Sequence, residues 1–366
     1  METKLDTGAL SALRNVAYDT QAEQGGSFLA ADNRILESRA VSEMLEILPL
    51  ETALDRYDWL AARLHTLVPA DADDKTAQVA AEPKKLGYFI RVRENARITL
   101  PIQTCYLINQ SDFTQLTHNV VIAEKGAELH LISGCTTNAH IKSGTHIGIT
   151  EYFLEESAIL TTTMIHSWGS DVEVYPRSAV AVGKNARFVS NYIALSPVKM
   201  LQMNPKASIE EGALGEFYSV AYAPAGSRFD IGSEAILRGK NAAANIISRS
   251  VSEGGEIIAR GRITGEYPGG KGTMSCNGLM LTENGRIHAV PELVADDLDL
   301  ELSHEASVGM ISPESLAYLM ASGISEEEAK SLIIEGFMDL RVPGLPDYLQ
   351  RQIDELIRKS HTASAI

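Results

Sequence analysis

Apolar and polar positions change rhythm twice along the chain, and the three textures predict three kinds of structure. Up to about Ile35 the chain is polar and glycine-containing, with QAEQGGS at Gln21–Ser27. It reads as a loosely packed arm with one short helix around Ala9–Val16. Between Ser38 and Val68 apolar residues recur at Val41, Met44, Leu45 and Leu48, then at Leu54, Tyr57, Leu60 and Leu64. That is helical spacing, and Pro49 falls between the two sets as a break. PADADDKT at Pro69–Thr76 has the composition of a linker.

From Leu86 the runs become short and β-rich, and one corner keeps returning. It reads ENAR at Glu94–Arg97, KGAE at Lys125–Glu128, ESAI at Glu156–Ile159, KNAR at Lys184–Arg187, EGAL at Glu211–Leu214 and KNAA at Lys240–Ala243. Its alanines, Ala96, Ala127, Ala158, Ala186, Ala213 and Ala242, step by 31, 31, 28, 27 and 29 residues. EGGE at Glu253–Glu256 and ENGR at Glu283–Arg286 look like the same corner in a shifted phase. A tight turn repeated at a near-constant period means stacked units. A sandwich would place turns every ~8–12 residues without a longer beat. The beat therefore predicts a mainly β fold, a parallel β-helix, over about Leu86 to Leu302.

The C-terminal texture is helical again. Ser312-Pro313-Glu314 is an N-cap followed by proline at the first helical position, and that helix stops at Gly323. Ser325 to Glu328 is a capping box that opens a second helix, EEEAKSLIIEGFMDL. A third is expected over DYLQRQIDELIRKS, residues 347–360. Three parts follow: residues 1–85 helical with a linker, 86–302 the β-helix, and 303–366 helical.

Composition narrows the function. The net charge is −16, from 48 acidic and 32 basic residues, which argues against a nucleic-acid binder with a basic footprint. No apolar run is long enough to span a bilayer, and a cytoplasmic protein is expected. Three cysteines make a disulfide framework a poor reading and reduced thiols a better one.

Chemistry concentrates between Arg260 and Ile311, where Cys276 precedes the adjacent pair His304-Glu305. A thiol, an imidazole and a carboxylate are ligands for iron or zinc. Neighbours on a strand point to opposite faces, so His304 and Glu305 serve one site only if the strand bends or meets a partner chain. Cys105 sits in an apolar strand and reads as structural. Cys135, in a polar, glycine-flanked setting, reads as packing or as a sulfur-carrying thiol. His130, His140 and His146 with Glu151 match no compact zinc spacing, and outward-facing rung positions explain them more simply. GEYPGGKG at Gly265–Gly272 nearly spells a phosphate-binding loop. Gly272 stands where its Ser/Thr should be and no helix follows, so nucleotide hydrolysis is not expected of this chain.

KGTMSCNGLML, PELVADDLDLELSHEASVGMI and GISEEEAKSLIIEGF closely resemble the SufB/SufD family of iron–sulfur cluster assembly proteins, over about Pro101 to Leu340. The resemblance implies a right-handed parallel β-helix flanked by helices, and a scaffold rather than an enzyme. Cys276 falls on the cysteine associated there with cluster assembly, which D-type members tend to lack. The His304-Glu305 pair falls at the interface between two core subunits. Glu305 is then the favoured second ligand, and His304 a ligand or a group that orients one, for a transient cluster, [4Fe-4S] by expectation. The implied partners are a SufC-like ABC-type ATPase on the C-terminal helices, a second copy or a SufD-like homologue, and recipient proteins. The extra N-terminal cysteines of longer bacterial B-type members are missing, so the chain looks like the short archaeal-type form. Two alternatives are weaker: a structural D-like subunit that holds no cluster, against which Cys276 argues, and a β-helix enzyme acting on polysaccharide. The enzyme would need a carboxylate or basic constellation on an outward face that the sequence does not clearly show, and it would leave the C-terminal helices without a role.

Overall fold

The computed structural model describes residues 5–19 and 23–339, with isolated positions at 351, 354, 355 and 358. The expected third C-terminal helix, 347–360, lies outside the described residues apart from those four positions. The chain forms a β-solenoid of about 8 turns. Two sheets of ten and eleven strands face each other across the core, and nearly all their pairings are parallel.

The alanine corners stack as the beat predicts. Each is a turn closed by the alanine N–H, as in Ala158 to the Glu155 carbonyl at 3.1 Å. Successive corners are laced together: Ile159 N–H donates to Ala127 O and Arg187 N–H to Ala158 O, both at 2.8 Å. The residue before each alanine is left-handed: Asn95, Gly126, Ser157, Asn185, Gly212 and Asn241 have φ between 57° and 67°. Asparagine and glycine tolerate that region best, which is why N-A and G-A recur. The alanines are buried, from 0 % to 7 % exposed, so only a small side chain fits beneath the next turn. EGGE and ENGR are not this corner in another phase. They join the first sheet to the second, on the opposite edge of the solenoid, between Ala243–Glu253 and Glu256–Gly265 and between Gly270–Met280 and Arg286–Ala295.

Three N-terminal expectations are corrected. The polar arm carries the short helix, Thr7–Asn15, but Gly26–Ala31 is a strand buried at all six positions. It pairs in parallel with Ile102–Ile108 and antiparallel with Arg34–Ala40. Helical spacing over Val41 to Leu48 misleads as well: Leu45–Pro49 is a strand in which Leu45 and Ile47 are buried, while Val41 and Met44 are exposed. Helix begins only at Leu50, immediately after Pro49. The linker holds a helix start: Asp73 caps Asp74–Ala81, with Thr76 closing a capping box. The strand stack therefore runs past both ends of 86–302, from Gly26 to Met310.

Helices seal the outer faces. The N-terminal helix segment (Leu13, Val16, Tyr18) and the C-terminal one (Ile334, Met338) cover an apolar ridge on the first sheet, including Cys105, Ile165, Val220, Val251 and Leu279. Leu50 and Ala53 cover Phe89 and Val120 on the second sheet, and Val79 covers Ile147 and Ile149. The C-terminal helices Pro313–Met320 and Glu326–Met338 start where their caps predict, with Ser312 and Ser325 accepting backbone N–H bonds.

Candidate functional site at the open end of the solenoid

Cys276 lies on Gly270–Met280, the last strand but one of the first sheet. Side chains alternate along it: Gly272, Met274, Cys276 and Gly278 are buried, Lys271 and Thr273 exposed. Met274 and Cys276 belong to the core between the sheets. The register sets Met274 beside His304, Ser275 beside Glu305 and Cys276 beside Ala306. In-register neighbours of a parallel pair share a face. His304 thus looks inward with Cys276, and Glu305 looks outward with Ser275. The adjacent pair is split between the two faces, and one chain does not bring Cys276 and Glu305 together.

Among the described residues the terminal strand, Leu300–Met310, pairs on one side only. From Ser303 to Met310 every residue is exposed, His304, Glu305, Val308 and Met310 among them. On the opposite sheet Arg286–Ala295 is paired, among the described residues, only to Glu256–Gly265. Among the described residues no strand covers this end of the core. Cys276, one strand in, is 2 % exposed and burial pushes its thiol up. A metal binding there would have to displace the thiol proton. Among the described residues no three His, Cys, Asp or Glu side chains come close enough to hold a metal.

The other sequence candidates do not join this site. Cys105 is fully buried on the outer face of the first sheet, beneath the N-terminal helix segment. Cys135 faces the core, and burial pushes its thiol up to about 12. His130 is partly buried beside Thr163, and His140 is exposed. His146 is not outward-facing: it lies between the sheets, 2.9 Å from Gln115 and with its ring 5.2 Å from that of Trp168. Glu151 is buried on the outer face, where its carboxylate accepts N–H bonds from His65 (2.8 Å), Leu67 (2.7 Å) and Val68 (3.2 Å) and pairs with His118 at 2.8 Å. Sequence reasoning missed His118, whose only signal was an imidazole in an apolar-rich strand. GEYPGGKG forms a corner between two strands, with Lys271 paired to Glu301. Several outward carboxylates are similarly tied to bases one rung away, as in Lys206–Glu234 and Arg262–Glu292. That arrangement explains them as ladders rather than as a glycosidase pair.

The family described as "SUF system FeS cluster assembly, SufBD core domain" matches residues 106–337. The chain belongs to the SufBD family. An iron–sulfur cluster assembly SufBD family protein from Archaeoglobus fulgidus is 42 % identical over 337 residues, 92 % of this chain and 90 % of the relative. One from Methanothermobacter thermautotrophicus is 39 % identical over 345 residues, 93 % of this chain and 84 % of the relative. One from Staphylococcus aureus is 30 % identical over 316 residues, 84 % of this chain and 67 % of the relative. The match to the SufBD core runs from the Ile102–Ile108 strand into the Glu326–Met338 helix. It therefore takes in Cys276, the open end and both C-terminal helices. No described helix is long and apolar enough to cross a membrane.

Proposed function

We propose that this SufBD protein is a non-enzymatic, cytoplasmic scaffold whose building site is completed by a second subunit at the open end of the solenoid. The observation that supports this best is the one-sided, exposed strand bearing His304 and Glu305 beside the strand that holds Cys276. A second copy, or a D-like homologue, covers that edge, and a twofold interface sets like residues face to face. Iron–sulfur clusters usually take four ligands, mostly thiolates, and two chains double what one provides. Cys276 and His304 serve from the interior, and the outward Glu305 serves from the partner subunit. A carboxylate holds iron less firmly than a thiolate does, which suits a [4Fe-4S] cluster built for release to recipient proteins.

Direct edge pairing would place the two Cys276 strands three strand spacings apart, about 14 Å. One cluster does not bridge that distance. A cluster shared by both thiols therefore needs the terminal strands to move out from between them, and a docked ATPase would supply the motion. Pro313–Met320 buries no side chain, and Tyr318 and Leu332 are 77 % and 53 % exposed. Residues 303–366 then form the docking region for a SufC-like ABC-type ATPase, 86–302 the scaffold proper, and 1–85 its cover.

The test is Val308→Lys on the open edge. The expected result is loss of subunit pairing by analytical ultracentrifugation together with loss of reconstituted cluster. A monomer that keeps its cluster overturns the interface site. The burial of Cys276 favours a second reading, a D-like structural subunit, which would hold no cluster at all.

A further inference from the structure

A gap in the second sheet leads to Met164, whose sulfur touches that of Cys135, a thiol that cluster assembly at the open end does not use. After Asp171–Val182 the next rung is carried by two short strands, Met200–Met203 and Lys206–Ile209, interrupted at Asn204-Pro205. Proline has no N–H to donate to a ladder. Only Glu173-Val174 and Ala179–Val182 find partners in that rung, so 175–178 border an opening. A cavity of about 50 Å³ lies behind it, lined by Pro176, Ser178, Pro205, Met164 and Tyr192 among others. Met164 packs on the core yet is only partly buried. Its Sδ stands 3.9 Å from Cys135 Sγ. His166 is in register with Cys135 on the next strand, which sets their Cβ atoms about 5 Å apart. The hydroxyl of Tyr192 lies 2.8 Å from His166 Nδ1 and fixes the ring.

We propose that Cys135, Met164 and His166 form a binding site for a soft monovalent metal ion, Cu(I), which enters through this opening. With metal–sulfur bonds of about 2.3 Å, sulfurs 3.9 Å apart subtend about 115° at the metal. That is a trigonal angle, and we assign the third position to His166, in register with Cys135 and two residues along the strand from Met164. Thiolate and thioether together select a soft ion. Charge selects a monovalent one: a single thiolate neutralises Cu(I), while Met164 and a neutral imidazole add nothing. A divalent ion would leave a net positive charge buried between the sheets. On binding, the Cys135 S–H bond breaks, the S–Cu bond forms, and the proton leaves to water through the opening. No electron changes hands.

The intact chain is titrated anaerobically with Cu(I), supplied as its acetonitrile complex, against a chromophoric Cu(I) chelator. Ag(I) serves as the redox-inert substitute. One metal ion per chain should be withheld from the chelator, with a near-ultraviolet thiolate-to-copper band. Cys135→Ser and Met164→Leu should each weaken binding about tenfold or more, while Cys276→Ser leaves it unchanged. Met164→Leu conserves volume and gives the answer even if Cys135→Ser does not fold. Full affinity in Met164→Leu, loss of binding in Cys276→Ser, or failure of the wild type to compete would each overturn the site. None of these outcomes bears on whether a cluster forms at the open end.

Discussion

Cys276 and Glu305 stand on neighbouring strands of one sheet and face opposite sides of it. A cluster that uses both must draw them from different chains. Mixing Cys276→Ser chains with Glu305→Ala chains should then recover cluster that neither variant holds alone, because a mixed dimer keeps one intact pairing. Anaerobic reconstitution of the mixture measures this. No recovery would rule out ligands supplied across the interface.

Glu151 fastens the 65–68 loop to the solenoid through three backbone N–H groups and His118. Glu151→Ala should cost about 3 kcal/mol, read by chemical denaturation, and should open the loop to protease. Burial alone would raise the Glu151 carboxyl, but the hydrogen bonds from His118, Leu67 and His65 outweigh it and hold the group below its ordinary value of 4.5. A depressed folded value means stability is complete above the unfolded value and is lost as the pH falls through the folded one. Wild-type stability should therefore drop on acidification below pH 4.5, and Glu151→Gln should flatten that drop. Equal acid sensitivity in both would contradict the assignment.

The corner stack makes a paired prediction. Ala158 is 0 % exposed beneath the next turn, and Ala158→Leu should cost about 1–3 kcal/mol by overpacking. Ser157 precedes it at φ 60°. Ser157→Gly relieves left-handed strain and adds unfolded-state entropy, so it should change stability by less than about 1 kcal/mol. Thermal unfolding of the two variants distinguishes these effects.

The C-terminal helix Glu326–Met338 has two faces. Ile334 and Met338 are buried against the ridge on the first sheet, while Leu332 is exposed, as is Tyr318 on the preceding helix. If the proposed ATPase docks here, Tyr318→Ala with Leu332→Ala should abolish its co-purification and leave unfolding unchanged. Ile334→Ala should instead destabilise the protein by about 2–4 kcal/mol. Retained ATPase in the double variant would place its dock elsewhere.

The solenoid was legible because its corner is a local demand: a left-handed residue followed by a small buried one, once per turn. The C-terminal helices were legible because Ser312 and Ser325 are local caps. Gly26–Ala31 was not, because a strand buried on both faces has no alternation to show. Val41 to Leu48 mimicked a helix because exposed Val41 and Met44 happen to fall at its period. Cys276 and His304-Glu305 could be named as candidates, but only the register shows which face each takes. The Cys135–Met164 contact joins two strands and has no sequence spacing that announces it.

The most direct measurement is the absorption spectrum after anaerobic reconstitution with iron and sulfide, compared across the wild type, Cys276→Ser and Cys105→Ser. A scaffold whose cluster rests on Cys276 should give the broad visible absorption of an iron–sulfur cluster in the wild type and in Cys105→Ser, and should lose most of it in Cys276→Ser while the fold is kept. A full cluster spectrum in Cys276→Ser would contradict the account.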